Sequence, residues 1–255
     1  MADRFGVAGP AVVTGASRGI GRATAASFAA DGADVVICSR DGEEISETAE
    51  TISEERAGSV VGVECDVRDR ETVEAMIDTA IEEFGGLSTL VNNAGASFVA
   101  SFEDISANGW ESVVDVNLTG TVNCTQAAAD ALADGGGSVV NVASLAGKQG
   151  APYMSHYGAA KAAVINLTST LAAEWADRGV RVNCVAPGYV ATPGLASQMG
   201  IDADEIDRGT VDRTVGTAGE IADVIRFLAS DAASFLTGET VTPRGVPDIE
   251  ETPEL

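Results

Sequence analysis

The feature that most constrains this chain is a short apolar strand that runs directly into a glycine-rich turn and then into a helix. The strand covers residues 10–13, the turn covers residues 14–21, and the alanine-rich helix ends near Ala30. Glycines let the backbone approach a pyrophosphate, and a helix N-terminus supplies unpaired N–H groups. The pattern predicts a dinucleotide site, with a simple packing turn as the alternative. The candidate residues are Gly15, Ser17, Arg18, Gly19, Ile20 and Gly21.

Strands and helices alternate along the rest of the sequence. Further apolar runs predict strands at residues 35–38, 60–65, 87–91, 138–143, 180–185 and 239–241. Helices are predicted at about residues 42–55, 108–132, 157–175 and 220–230, and a further helix before the fourth strand is predicted to end at residue 84. This alternation predicts an α/β fold with a parallel, doubly wound sheet of about seven strands, in a single domain that covers residues 1–255.

The exit of the second strand indicates which dinucleotide is bound. An acidic residue there would bind the ribose diol of NAD and repel a 2′-phosphate. This chain has Ser39 and Arg40 instead, and Arg18 projects from the turn toward the same ribose. Because the arginine fork suits phosphate geometry, we predict that NADP is preferred over NAD. If Arg40 pairs with a neighbouring carboxylate instead, dual specificity results.

The ends of the next two strands carry further candidates. Asp66 and Val67 follow the third strand, where the carboxylate can accept a hydrogen bond from the adenine amino group or cap the next helix. After the fourth strand, Asn93 can tie neighbouring strands together, and Gly95 leaves room for the cofactor beside Ala94. Asn117 lies inside the predicted helix at 108–132, where an asparagine is mildly unfavourable and invites a local distortion or a bound water.

A serine, a tyrosine and a lysine form the candidate catalytic group. Ser144 ends the strand at 138–143, and Tyr157 and Lys161 stand four residues apart in a predicted helix, hence on one face. A positive charge about 4 Å from the phenol could bring the tyrosine pKa from about 10 toward 7. The chain has only three tyrosines and two lysines, so a chance pair at this spacing is rare. A surface helical pair is the alternative.

The chain is strongly acidic. It has 39 acidic residues against 15 basic ones, a formal net charge of -24, which makes nucleic acid and anionic membranes poor partners. Acidic residues spread along a lysine-poor chain predict a cytoplasmic protein from a salt-accumulating halophile, since concentrated salt screens self-repulsion. An ordinary acidic protein is the alternative. The four cysteines are dispersed in apolar segments, which predicts buried thiols, and the single His156 argues against a metal site.

Several segments remain outside these motifs. The helix after Lys161 is apolar on nearly all sides, which predicts a subunit interface. Residues 189–212 are rich in Gly, Asp and Ser and predict a mobile substrate lid, and residues 243–255 form an acidic tail. His156 precedes Tyr157 near the helix start, where a substrate contact is one alternative. We expect neither a signal peptide nor a membrane span.

Taken together, these motifs resemble the short-chain dehydrogenase/reductase family over nearly the full chain. The resemblance rests on the turn at 14–21, Gly95, Asn117, Ser144, the Tyr157–Lys161 pair and the segment 187–192. It implies a Rossmann-like fold in which Tyr157 is the acid/base, Ser144 polarises the substrate oxygen and Asn117 holds a water. Lys161 would lower the pKa of the tyrosine and bind the nicotinamide ribose. Contacts to the nicotinamide end of the cofactor are expected from Pro187, Gly188, Val190 and Thr192.

The resemblance also implies a homotetramer, although a dimer stays open because Thr242-Pro243-Arg244 replaces the usual Asp-Gly-Gly at the end of the last strand. The implied reaction interconverts a ketone and a secondary alcohol. A 3-oxoacyl thioester is the favoured substrate, and sugars, polyols and steroids are the alternatives. A cofactor-binding sensor without catalysis is the rival from another class.

Overall fold

The computed structural model describes residues 4–193 and 206–246. Seven parallel strands form one sheet in the order β3-β2-β1-β4-β5-β6-β9, and a short parallel pair, β7 with β8, lies apart from it. The strands are β1 Ala11–Thr14, β2 Val35–Ser39, β3 Val60–Glu64, β4 Thr89–Asn92, β5 Gly137–Val142, β6 Val180–Val185, β7 Tyr189–Ala191, β8 Val215–Thr217 and β9 Thr240–Val241. The predicted seven-stranded parallel sheet is confirmed.

Helices cover both faces of this sheet. They are α1 Gly19–Ala30, α2 Gly42–Glu55, α3 Arg70–Phe84, α4 Ala107–Val114, α5 Gly120–Ala133, α6 Ser155–Glu174 and α7 Ala218–Ala229. Neighbouring residues of one strand face opposite layers, as the strand period requires. Val13 packs in the cluster that contains α1, α2 and α7, whereas Val12 packs in the cluster that contains α3 and α5.

The helix predicted at 108–132 is interrupted. A π-helical turn, Asp115–Thr119, separates α4 from α5 and contains Asn117. The Asn117 Nδ2 donates to the carbonyl oxygens of Val113 (2.8 Å) and Ala96 (2.7 Å). The Asn117 side chain thus bonds one carbonyl oxygen inside the helix and one outside it, at the position of the π turn. Such turns often occur at functional sites. The local distortion expected at this asparagine is therefore present.

A buried network of polar side chains ties the centre of the sheet to both long helices. Asn92 Nδ2 donates to Thr125 Oγ1 of α5 (2.9 Å) and to Asn141 Oδ1 of β5 (2.8 Å). Asn141 Nδ2 in turn donates to Thr168 Oγ1 of α6 (2.9 Å). Because buried amides need partners, this network sets the orientation of α5 and α6 on the sheet.

The region after β6 contains a strand pair that the sequence did not predict. β7 pairs with β8 through Val190 and Gly216, so a parallel strand pair flanks the expected lid. Residues 194–205 of that lid, and residues 247–255 of the expected tail, lie outside the described residues. Val164 of α6 and Trp175, which directly follows this helix, are buried within the chain, so less apolar surface is left for a second subunit than the sequence predicted.

Candidate functional site

The glycine turn lies directly against the end of β4. Asn93 Nδ2 donates to the carbonyl oxygens of Thr14 and Gly15 (both 2.9 Å), and Thr14 Oγ1 accepts from the N–H groups of Asn93 (3.1 Å) and Ala94 (3.0 Å). Gly15 has a φ of 64°, and a Cβ there would lie 2.7 Å from the Ala94 Cα. Only glycine allows this approach. The expected tie between β1 and β4 is therefore present.

The N-terminus of α1 opens onto the cleft. Gly19 starts the helix with a φ of 59°, no described side chain caps its first turn, and no acidic residue occurs there. The first N–H groups of the helix therefore remain available to an anion. Gly21 is buried beneath this turn, where a Cβ would lie 2.5 Å from Asn93 Nδ2. The residue shapes the turn and does not line the cleft.

Two arginines lie at the expected 2′-phosphate end of the cleft. Arg18 and Arg40 line the cleft, both are exposed, and neither forms an ion pair with any residue that the structure describes. The pairing of Arg40 with a neighbouring carboxylate, which the sequence left open, is absent from the described residues. Ser39 Oγ is engaged locally, because it donates to the Asp41 carbonyl (2.9 Å) and accepts from the Asp41 N–H (3.2 Å).

Asp66 and Val67 line the same end of the cleft. Asp66 does not cap α3, since Asp69 takes that position and accepts from the Glu71 N–H (2.9 Å). Instead Asp66 accepts hydrogen bonds from the Arg68 side chain, which lower the pKa of its carboxyl. Asp66 therefore remains an anionic acceptor beside the cleft.

Ser144 and Tyr157 meet on one wall of the cleft. Ser144 lies two residues after the end of β5, and its Oγ accepts from the Ala146 N–H (3.2 Å). Tyr157 lies in the first turn of α6. Burial raises the pKa of Tyr157, and hydrogen bonding with the Ser144 side chain acts in the opposite direction. The phenol is therefore protonated at neutral pH.

Lys161 lies one turn further along α6 and is buried. Its Nζ donates to the Val142 carbonyl (2.8 Å) and lies 5.7 Å from the centre of the Tyr157 ring. Burial lowers the pKa of Lys161 to about 8. The expectation that this ammonium brings the tyrosine pKa down toward 7 is wrong for this structure, because burial dominates at both groups.

Asn117 lies behind the cleft wall rather than on it. Its Oδ1 is buried and has no hydrogen-bond partner among the described residues. A Cβ on Gly95 would lie 2.7 Å from this oxygen and 3.5 Å from Lys161 Nζ. The amide oxygen and the ammonium therefore converge on a small space that only glycine leaves open. An unpartnered buried acceptor beside a donor is suited to a water molecule.

His156 is placed differently from the substrate contact that the sequence left open. Its ring is fully buried and contacts the Phe98 ring edge-on, with centroids 4.3 Å apart. His156 therefore lies behind Phe98 and not at the cleft surface. Apart from Gly21 and Asn117, the residues predicted to bind the cofactor or act in catalysis all line one cleft of about 850 Å³.

The lining of the far end of the cleft includes six residues to which the motifs predicted from the sequence assign no role. They are Phe98, Val99, Gln149, Pro152, Met154 and Tyr189. Most belong to loops without periodic patterning. The only sequence signal was the presence of aromatic residues in the loop after β4. Pro187, Gly188, Val190 and Thr192 line the cleft as predicted, and Thr192 packs close to Gly19.

Comparison with known proteins gives the family. Residues 15–244 match a short-chain dehydrogenase family model described as Enoyl-(Acyl carrier protein) reductase. A 3-oxoacyl-[acyl-carrier-protein] reductase from Synechocystis sp. is 38% identical over 239 residues, which cover 92% of this chain and 95% of that protein. The chain belongs to the short-chain dehydrogenase/reductase family. It is therefore an oxidoreductase of a family that binds nicotinamide cofactors.

Other members of the short-chain dehydrogenase/reductase family show the range of substrates. The 3beta-hydroxysteroid dehydrogenase 1 of Eggerthella lenta is 39% identical, and the match covers 90% of each chain. The solved structure of L-sorbose reductase from Gluconobacter frateurii, complexed with NADPH and L-sorbose, has a TM-score of 0.85 at 30% identity and covers 95% of this chain and 98% of that one.

The residues of the cleft fit the nicotinamide cofactor of this family. The open α1 N-terminus suits a pyrophosphate, and the space beside Gly95 would be filled by any Cβ. The described residues contain no cluster of His, Cys, Asp or Glu suited to a metal ion. Within the same ranges, no helix is long and apolar enough to cross a membrane.

The buried Lys161 predicts an unusual dependence of stability on pH. Below pH 8 the lysine is protonated in both the folded and the unfolded state, so the full cost of burying the charge is present. Between pH 8 and 10.5 the unfolded state binds more protons than the folded state, so the free energy of unfolding rises with pH. The lowered pKa corresponds to a cost of about 3 kcal/mol for keeping the lysine charged in the folded state. The hydrogen bond to the Val142 carbonyl offsets about 1 kcal/mol of this cost. We therefore expect Lys161→Met to raise the free energy of unfolding at pH 7 by about 2 kcal/mol.

Urea unfolding of the cofactor-free protein at pH 7 and at pH 10 measures this effect. The difference between the variant and the starting protein should shrink as the pH rises. Lys148→Met is the matched control, because Lys148 is exposed and bonds only the Thr242 hydroxyl among the described residues. If Lys161→Met is less stable than the starting protein, or if the stability difference between them does not change with pH, the lowered pKa of Lys161 is contradicted.

Proposed function

We propose that the protein is an NADP(H)-dependent oxidoreductase that interconverts a ketone and a secondary alcohol, with Tyr157 as the acid/base. The observation that carries the proposal is that Ser144, Tyr157 and Lys161 share one cleft with the glycine turn and the open N-terminus of α1. A proton donor and a cofactor site must face the same space for hydride transfer, and this cleft provides both.

The proposed roles follow from the geometry. Ser144 and the protonated Tyr157 donate hydrogen bonds to the substrate oxygen and hold it. When bound, the nicotinamide supplies the hydride that the carbonyl carbon accepts. Tyr157 gives its proton to the oxygen, and its raised pKa keeps that proton available at neutral pH, which suits reduction. Lys161 and a water beside Asn117 Oδ1 would return a proton to the phenol.

Removal of the phenolic hydroxyl should abolish turnover. We expect Tyr157→Phe to lower kcat by about 1,000-fold, while the dissociation constant for NADPH changes little, because the ring and its packing remain. Steady-state reduction of a ketone panel and titration of NADPH fluorescence measure the two quantities. Tyr153→Phe is the matched control, since Tyr153 is 62% exposed and does not line the cleft. Retention of more than about a tenth of kcat would reject Tyr157 as the proton donor.

The NADP preference is proposed on charge. Arg18 and Arg40 line the cleft without ion-pair partners among the described residues, and the L-sorbose reductase structure that resembles this chain contains NADPH. NAD is the second candidate cofactor. The arginine fork provides paired donors for a 2′-phosphate.

We expect a lower Michaelis constant for NADPH than for NADH, and we expect Arg40→Gln to raise the constant for NADPH by about tenfold with little effect on NADH. Arg56→Gln is a matched control, because Arg56 lies at the end of α2, away from the cleft lining. Equal constants for the two cofactors in the starting protein would refute the preference.

Several substrate classes are candidates for this protein. The similarity to a 3-oxoacyl-[acyl-carrier-protein] reductase favours a 3-oxoacyl thioester, and the steroid and sorbose relatives favour steroids, sugars or polyols. A sensor that binds the cofactor without catalysis would bind NADPH yet reduce no compound in a broad ketone panel. The presence of both Tyr157 and Lys161 on the cleft argues against that alternative.

We propose that the protein works in the cytoplasm at high salt and as a homo-oligomer, a tetramer or a dimer. The four cysteines are buried and unpaired, as is usual in a reducing compartment. Ile165, Leu167 and Leu171 of α6 remain half-buried in the single chain and support a subunit contact. Light scattering after size exclusion measures the oligomeric state.

The net charge of -24 predicts stabilisation by salt. We expect the free energy of unfolding to rise by about 2 kcal/mol or more between about 0.1 M and 2 M KCl, because screening weakens the repulsion among carboxylates. Urea unfolding at each salt concentration measures the change, and sucrose of equal osmolality is the control. A flat or falling dependence on KCl would contradict adaptation to salt.

A further inference from the structure

We propose that the substrate is an uncharged, largely apolar ketone or secondary alcohol without a phosphate-bearing carrier arm, and that Phe98 selects it. This inference rests on the proposed function and names the substrate class of the same cleft. It differs from a 3-oxoacyl thioester of coenzyme A or of an acyl carrier, and from a sugar.

The far end of the cleft is built from three loop regions, the last of which contains the short strand β7. Residues 96–100 follow β4, residues 149–154 precede α6, and residues 187–193 follow β6. The Ala100 N–H donates to the Tyr153 carbonyl (3.0 Å), which joins the first two loops. Side chains from all three loops line the cleft beyond Tyr157. A substrate whose oxygen contacts Tyr157 therefore places its remaining groups among these loops.

Phe98 is held firmly in this wall. Its ring lies edge-on to the buried His156 with an interplanar angle of 73°. On its other side, the Phe98 Cζ lies 3.1 Å from the position that a Cβ on Gly109 would take. The ring is thus wedged between α6 and the first turn of α4, while 40% of the residue remains exposed. Because His156 directly precedes Tyr157, the wall and the proton donor are positioned by the same helix.

The exposed surface at this end is mainly apolar. Val99 is 69% exposed and Tyr189 is 61% exposed, and Pro152 and Met154 also line the cleft. Exposed apolar patches of this kind mark sites where an apolar group is buried on binding. Gln149, Ser97 and the Tyr189 hydroxyl offer polar contacts, and apolar side chains make up most of the rest of the described lining at this end. A polyhydroxy ketose would therefore leave hydroxyl groups without partners, which costs binding free energy.

The charges of the cleft are segregated. Arg18, Arg40, Asp41, Glu44 and Asp66 all lie at the adenosine end, and Lys161 is buried against the Val142 carbonyl. The sequence contains no lysine or arginine at residues 96–110, 149–160 or 187–193.

Lys148 and Arg244 adjoin residues of the far end but do not line the cleft. Lys148 donates to Thr242, and Arg244 packs beside Gly188. Glu103 and Asp104 are exposed next to Phe102, on the loop that continues from Phe98. A phosphate or an acidic carrier protein at this mouth would find no lysine or arginine in the described lining of the far end, on a protein whose formal net charge is -24. Like charges at an interface oppose association and suppress the wrong partner.

A matched pair of thioesters tests the charge argument. Acetoacetyl-CoA and S-acetoacetyl-N-acetylcysteamine present the same ketone, and only the first carries phosphates. We expect kcat/KM with NADPH to be at least about fivefold higher for the uncharged thioester, with the gap narrowing as KCl is raised from about 0.2 M to 2 M. We expect 2-decalone, an apolar bicyclic ketone, to exceed both thioesters, and L-sorbose to be the poorest of the four.

A higher kcat/KM for acetoacetyl-CoA or for L-sorbose than for 2-decalone would overturn this inference and leave the proposed function intact. Binding of NADPH without turnover of any of the four compounds would overturn both. The two failures are therefore distinguishable in one experiment.

Variants of the wall test the role of Phe98. We expect Phe98→Ala to raise KM for 2-decalone by about tenfold or more, and Phe98→Leu to restore part of the loss, while the NADPH dissociation constant and the melting temperature report an intact fold. An unchanged KM for 2-decalone in a folded Phe98→Ala would show that the wall does not select substrate.

A charge placed on the rim gives the converse test. Val99→Arg should raise the ratio of kcat/KM for acetoacetyl-CoA to that for the cysteamine thioester by about fivefold, because it supplies the missing cation. Val99→Gln, of similar size and without charge, should leave that ratio as in the starting protein. An unchanged ratio in Val99→Arg would mean that phosphates do not approach this rim, and would overturn the charge argument.

Discussion

The parallel pairing of β1 with β4 is the constraint on which the site depends. The two strands run side by side in register, so their carboxyl ends lie together, yet the chain leaves them toward opposite faces of the sheet. α1 follows β1 on one face, while α5, which follows β4 by way of α4, packs on the other. The divergence opens a crevice at the carboxyl ends of these strands, which is where open α/β folds bind ligands. Glycine at positions 15 and 95 keeps this crevice open.

The chemistry of the cleft opposes the stability of the fold. A buried ammonium at Lys161 and an unpartnered oxygen on Asn117 are each unfavourable for a folded chain without ligand. Lys161 is tolerated because the Val142 carbonyl accepts its hydrogen bond. The surrounding amide network of Asn92 and Asn141 holds α5 and α6 in place despite these local penalties.

The two ends of the cleft differ in the kind of recognition they support. The adenosine end has arginines and aspartates, and the far end has aromatic and aliphatic side chains with carboxylates outside. Such a division supports our proposal that an anionic cofactor and an uncharged substrate bind at opposite ends of the cleft. His156 links the far end of the cleft to the candidate proton donor. Its ring contacts Phe98, and it directly precedes Tyr157 in α6.

The sequence by itself determined the alternating fold, the glycine turn and the grouping of Ser144, Tyr157 and Lys161. These follow from local patterns: apolar runs, glycine spacing and the period of a helix. The bounds of α2 and β6 were predicted correctly for the same reason. Only the tertiary structure decided the pKa of Tyr157 and Lys161, because burial depends on every element packed around them. It likewise placed His156 behind Phe98 and brought three unpatterned loops together, since contacts between distant loops have no period in the sequence.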